Sequence, residues 1–201
     1  MLWGVSPYLW LILIIFIIVT AIVIKKALDA SRKRRERLKK EAAIWKRDYE
    51  LREKYRELTE NKILNAPDDE LLHGVAMNIQ IKLENADSME KAFEVLPTEK
   101  KYVYTLEYFD EDAKQSLSFF FKNNGEPLTG LSYKALEEIG LFDISQIVKE
   151  LYPMYDPDSE VSVDREIIGR KDVEFKEKYS SKTLLSEAAK YIIGNKEIFL
   201  N

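Results

Sequence analysis

Three consecutive carboxylates, Asp110-Glu111-Asp112, with Glu107 one helical turn before them, form the densest group of acid and base candidates in the chain. Paired carboxyls serve as general acid and base when burial or a like charge pushes their pKa values apart. Nothing in the flanking sequence marks one of them as buried, and such runs usually sit in a solvated turn. A second group, Asp156, Asp158 and Glu160 followed by Asp164, has the alternating spacing of a calcium loop. A calcium loop also needs a Gly at its sharp turn and a bidentate Glu to close it. Those two places hold Val161 and Ile167, so the match fails. Both groups read as acidic surface for a basic partner, with no catalytic residue among them.

The rest of the chemistry narrows quickly. There is no cysteine and a single histidine, His73, so thiolate nucleophiles, disulfides and the usual zinc sites are excluded. His73 follows Leu71 and Leu72 with no nucleophile motif to serve and reads as a surface or boundary residue. The seven glycines are scattered, and no Gly-x-x-x-x-Gly-Lys phosphate loop occurs. Phe119, Phe120 and Phe121 are expected in a core rather than in a ligand pocket. No metal, no cofactor and no enzymatic activity are expected.

The elements that carry these residues follow from charge. The formal charge of −4 conceals a strong asymmetry. Residues 2–24 are uncharged, residues 25–64 hold 15 Lys/Arg against 8 Asp/Glu, and residues 65–201 carry a net −11. The uncharged run is densest from Tyr8 to Ile24 and, as helix, is about 34 Å long against a hydrocarbon core of about 30 Å. It predicts one transmembrane crossing over 1–24, with Trp3, Tyr8 and Trp10 near one interface. A cleaved signal peptide needs Lys or Arg before the apolar run, whereas here Lys25, Lys26, Arg32, Lys33, Arg34, Arg35, Arg37, Lys39 and Lys40 all follow it. These cations predict an N-terminus outside, a cytoplasmic C-terminal domain, and contact of the neck with anionic lipid headgroups. No aromatic interrupts residues 32–40 to stack on bases, so direct nucleic-acid binding is not expected.

From Lys25 to Lys62 there is no Pro or Gly, which predicts one long helix. Leu38, Ala42, Trp45 and Tyr49 form one apolar stripe on it, and Ile44, Leu51, Tyr55 and Leu58 a second; they are expected to pack on the body or a neighbouring helix, with too few heptads for a convincing coiled coil. The acidic body, 65–201, reads as all-α and compact. Pro67 and Asp68-Asp69-Glu70 open a helix through Leu83, Asp87 with Glu90 caps a second, and Thr98 caps a third through Phe109. Asn123-Asn124-Gly125 ends the Phe119–Phe121 segment, Gly140 ends a helix through Ile139, and Asp143 with Gln146 caps the next. Residues 152–174 are expected as an irregular loop with a short strand at Val161–Ile168, before a last helix from Ser181 to Ile193.

Several strings in this order resemble the bacterial DNA-mimic-protein family of α-helical domains: Asp68-Asp69-Glu70-Leu71-Leu72, Leu96-Pro97 before a Tyr-containing helix, Phe119 to Gly125, Ala135 to Gly140, and a C-terminal helix ending at Tyr191-Ile192-Ile193 and Glu197-Ile198-Phe199. The resemblance covers residues 66–200. It implies an all-α fold without known catalytic residues and one precedent in which surface carboxylates imitate DNA phosphates toward a DNA-binding regulator. The family's Asn-Gly-Gly-Phe-like stretch is replaced here by Lys114-Gln115-Ser116-Leu117-Ser118, and the apolar N-terminus lies outside its pattern. The functional expectation is a membrane-tethered module for a basic protein partner. The alternative is an assembly protein that forms homo-oligomers through anchor and neck.

Overall fold

The computed structural model describes the backbone of residues 7–156 and 158–200, with side chains except those of residues 7, 9, 10, 12–15, 17–19, 21–23, 27, 40 and 41. The chain divides into two units, residues 1–50 and 51–201. All regular structure among the described residues is helical, and none of it is strand.

In the first unit the described residues lie on α1 (Pro7–Lys54). Lys25, Lys26, Arg32, Lys33, Arg34, Arg35, Arg37 and Lys39 are exposed on it, and the side chain of Lys40 lies outside those described. Leu38, Ile44, Trp45 and Tyr49 are exposed as well. Among the described residues no helix is long and apolar enough to cross a membrane. Residues 1–6, and most side chains of the apolar run up to Ile24, lie outside the described set.

The second unit begins where the expected long neck helix stops short. α1 ends at Lys54 rather than Lys62, although no Pro or Gly stands at the break. The reason is tertiary. A helix C-terminus leaves carbonyls without amide partners, and here side chains from elsewhere take them. Asn78 Nδ2 donates to the carbonyls of Tyr55 (3.0 Å) and Arg56 (2.8 Å), while Lys62 Nζ donates to those of Lys54 (2.6 Å) and Glu57 (2.8 Å). Thr59 then caps α2 (Glu60–Asn65). Leu51, Tyr55, Leu58 and Ile63 are buried in the body's core, so the second neck stripe beyond Ile44 belongs to the body.

The body continues with α3 (Asp68–Glu84), α4 (Met89–Glu94), α5 (Thr98–Ala113), α6 (Leu117–Asn123), α7 (Leu128–Glu138), α8 (Phe142–Leu151), a 3-10 turn (Tyr152–Met154), α9 (Arg165–Lys178), α10 (Ser181–Gly194) and α11 (Lys196–Phe199). α5 packs against α3, α6, α7, α10 and α11, and accordingly buries more than one face: Val103, Leu106 and Phe109, and also Tyr104 and Thr105. Phe109 meets Phe120, Phe175 and Tyr179 edge-on, with ring centroids 5.0, 5.9 and 6.0 Å away. Of the three phenylalanines expected in the core, Phe120 and Phe121 are buried and Phe119 is half-buried; Phe121 stacks on Tyr155 at 4.7 Å.

Several helix starts differ from expectation by a residue or two. Ser88, not Asp87, caps α4, accepting from Lys91 N. Thr98 is the first residue of α5 rather than its cap, and α8 starts at Phe142 after Leu141, with Asp143 inside the first turn. Docking of the apolar faces sets where each helix begins, and an acidic residue in the first turn still favours the positive end of the helix. Met89 is exposed, while Phe93 takes the core position on α4. The largest difference is α9. The expected strand is a loop whose Val161 and Val163 are exposed, and Asp164 Oδ1 accepts from Glu166 N (2.9 Å) and Ile167 N (3.2 Å) to start a charged helix. α9 buries only Phe175 fully, so its apolar period is weak in the sequence.

Candidate functional site

The first acidic group does not form one surface. Asp110 is only 4% exposed. The Tyr179 hydroxyl, at the end of α9, donates to its Oδ1 at 2.5 Å, and Lys114 Nζ, one turn along α5, lies 2.6 Å from Oδ2. Burial, and then the Asp110 charge, hold the Tyr179 hydroxyl pKa far above its ordinary value. The ring of Tyr179 stacks on Phe175 at 4.7 Å, so this carboxylate clamps α9 to α5 and is not available to a partner.

Glu107 is also committed. It meets His73 Nδ1 of α3, and the two side chains are only 16% and 24% exposed. His73 is thus a boundary residue that ties α3 to α5. Asp112 is half-buried and accepts from Asn124 Nδ2 at 2.7 Å and Asn123 Nδ2 at 3.4 Å, which closes the turn between α5 and α6. Glu111 alone remains exposed in this group. Its carboxyl is raised above the usual range, first by the protein packed around it and next by the charge of Glu107.

The second group divides in the same way. Asp156 is half-buried and its Oδ1 accepts from Asp158 N at 3.0 Å, which makes a local turn rather than a cation site. Asp158 and Glu160 are exposed. Among the described residues no three or more His, Asp or Glu side chains converge as metal ligands. Glu111, Asp158 and Glu160 are therefore the predicted acids that stay open to a partner.

Ion pairs elsewhere join elements. Arg52 pairs with Glu84 and tethers the end of α1 to α3, holding the Glu84 carboxyl below its usual range. Lys171 lies 2.5 Å from Glu150 and 2.8 Å from Glu174, and thereby links α9 to α8.

A feature the sequence does not announce is a groove of about 740 Å³ between the end of α3, α4, α5 and the α6–α7 connection. Phe93 and Tyr104 lie along it with ring centroids 5.7 Å apart, beside Leu83, Met89 and Leu128. Glu90, Glu94 and Glu126 also line it, and no Lys or Arg does. Its residues come from four segments, and Glu90 and Glu94 sit four apart on the short α4, a helix legible in the sequence although its place in a groove is not. Glu126 Oε1 accepts from Thr129 Oγ1 at 2.7 Å, and its carboxylate is also engaged by the Tyr152 hydroxyl. The Tyr104 hydroxyl is engaged by Gln80 and, at 3.1 Å, by Tyr108. This cavity can seat apolar side chains and attract cations around them; it presents no group arranged as nucleophile and base.

No family model, curated protein or solved structure matches the chain.

Proposed function

We propose that the chain is a membrane-tethered interaction module. In this reading residues 1–24 cross the membrane once, the N-terminus lies outside, and the basic neck rests on anionic headgroups. The acidic body then offers carboxylates in the cytoplasm to a basic protein partner. The carrying observation is the order of charge along the chain: 23 uncharged residues, then nine cations within sixteen positions, then a body of net −11. A membrane retains the first, an anionic leaflet attracts the second, and the third steers a cationic partner. The exposure of Lys25 to Lys39 on α1 supports the lipid contact, and that of Glu111, Asp158 and Glu160 supports the partner contact. The resemblance to DNA-mimic proteins suggests one form of it, in which the partner is a DNA-binding regulator.

The test is affinity capture with the full-length chain, repeated after neutralising Glu111→Gln, Asp158→Asn and Glu160→Gln together. Asp110 and Glu107 are left intact because they hold helices together. Captured partners are expected to be basic, to weaken several-fold in the triple variant, and to be lost between about 0.1 M and 1 M salt, as the screening length falls from about 10 Å to about 3 Å. Capture that ignores both salt and neutralisation contradicts this reading.

A second reading, an assembly protein that self-associates through anchor and neck, is favoured by one observation. Leu38, Trp45 and Tyr49 recur along one stripe of α1 and are 53%, 75% and 66% exposed. A chain that sediments as a single copy in detergent and after neck cross-linking rules that reading out.

A further inference from the structure

We propose that the groove beside α4 is the docking site for a basic amphipathic helix of the partner, an inference that rests on the reading of the body as a module for basic proteins. The occupant follows from two properties of the lining. Its walls are apolar, with Phe93 and Tyr104 side by side and Met89 exposed at the edge, so the partner must bring large apolar side chains. Its charged members are Glu90, Glu94 and Glu126, with no cation among them, so the same partner must carry Lys or Arg flanking those apolar residues. A helix supplies both, because residues at i, i+3 and i+4 share one face while their neighbours flank it. A peptide that binds by strand addition would need an open sheet edge to bond its backbone, and the described residues contain no strand. The groove's volume suits roughly two to four large side chains, which is the number that a short amphipathic helix sets into such a groove.

The probe is a synthetic peptide of Leu and Lys with Leu at helical spacing, alongside a scrambled isomer of the same composition. Each is titrated onto the full-length chain in phosphatidylcholine nanodiscs with methyl-labelled methionine. The sequence has four methionines, and Met77 and Met154, both half-buried and outside the lining, serve as internal references for Met89. The amphipathic peptide is expected to shift the Met89 methyl signal saturably, the scrambled isomer to leave it in place, and Glu90→Lys with Glu94→Lys to weaken binding about tenfold or more. Both glutamates are exposed, so the double variant keeps the fold. Equal binding of the two peptides, or an affinity unmoved by the double variant, overturns the proposal. Salt-sensitive binding with Met89 unmoved overturns the groove but leaves the acidic module standing, and absence of any binding overturns both.

Discussion

Phe109→Ala is expected to destabilise the body by about 3–5 kcal/mol, enough to remove a large share of a typical domain's stability. Phe109 is fully buried and its ring is the meeting point of α5, α6 and α9. Removing it deletes edge-on contacts with three aromatic rings at once and opens a void that those flat rings fill poorly. It also loosens the floor beneath the Asp110–Tyr179 clamp, because Tyr179 is itself one of the three neighbours. Phe142→Ala is the matched control: Phe142 is 64% exposed, and its loss should change stability by no more than about 0.5 kcal/mol. Denaturation followed through the Met77 and Met154 methyl signals reads this directly. The three tryptophans, Trp3, Trp10 and Trp45, all lie in the first unit and would report on the wrong part of the chain. A loss below about 1 kcal/mol for Phe109→Ala contradicts the packing described.

Gly74→Ala is expected to be nearly as damaging for its size. A Cβ at Gly74 would lie 2.5–2.6 Å from three ring atoms of Tyr55, which is fully buried and therefore has no solvent to move into. Overpacking of this kind costs about 1–3 kcal/mol. Displacement of the ring also disturbs the junction at Tyr55, whose carbonyl accepts from Asn78 and whose hydroxyl donates to Glu70 at 2.7 Å. The clash is specific to one pair, so it predicts strong non-additivity. In the background Tyr55→Ala, which makes its own large cavity, Gly74→Ala should cost almost nothing further. Equal costs of Gly74→Ala in both backgrounds would contradict the close approach of α3 to the Tyr55 ring.

The pair also illustrates what the sequence can and cannot convey. Gly74 lies inside a good helical pattern, and its use becomes visible only when Tyr55 is placed against it. α3 and α10 are legible because each joins a clear start, Pro67 with three acids or Ser181, to a sustained apolar arc. Gly140 is legible as a stop because its φ of +83° is a conformation that side-chain-bearing residues rarely adopt. The end of α1 is not legible, since Asn78 and Lys62 create it from outside. α9 is hidden by its charge: it needs one buried residue, Phe175, and its cap at Asp164 resembles one more acid in an acidic loop. The acidic sites are hidden for the same reason in reverse. Nothing local separates Asp110 from Glu111, yet Tyr179, 69 positions later, buries the first and leaves the second open. The groove combines both problems, because four separate segments build it.

In the proposed reading the uncharged run holds the chain in a membrane with the acidic body on the cytoplasmic side, the side that the cations after Ile24 favour. A reporter that fluoresces only in the cytoplasm, fused after Asn201 of the full-length chain, tests this when read in membranes washed with alkaline carbonate. Fluorescence is expected to stay with the washed membranes and to become soluble when residues 1–24 are deleted. Fluorescence that is soluble with the full-length chain, or a C-terminal reporter active only on the outer face, would contradict it.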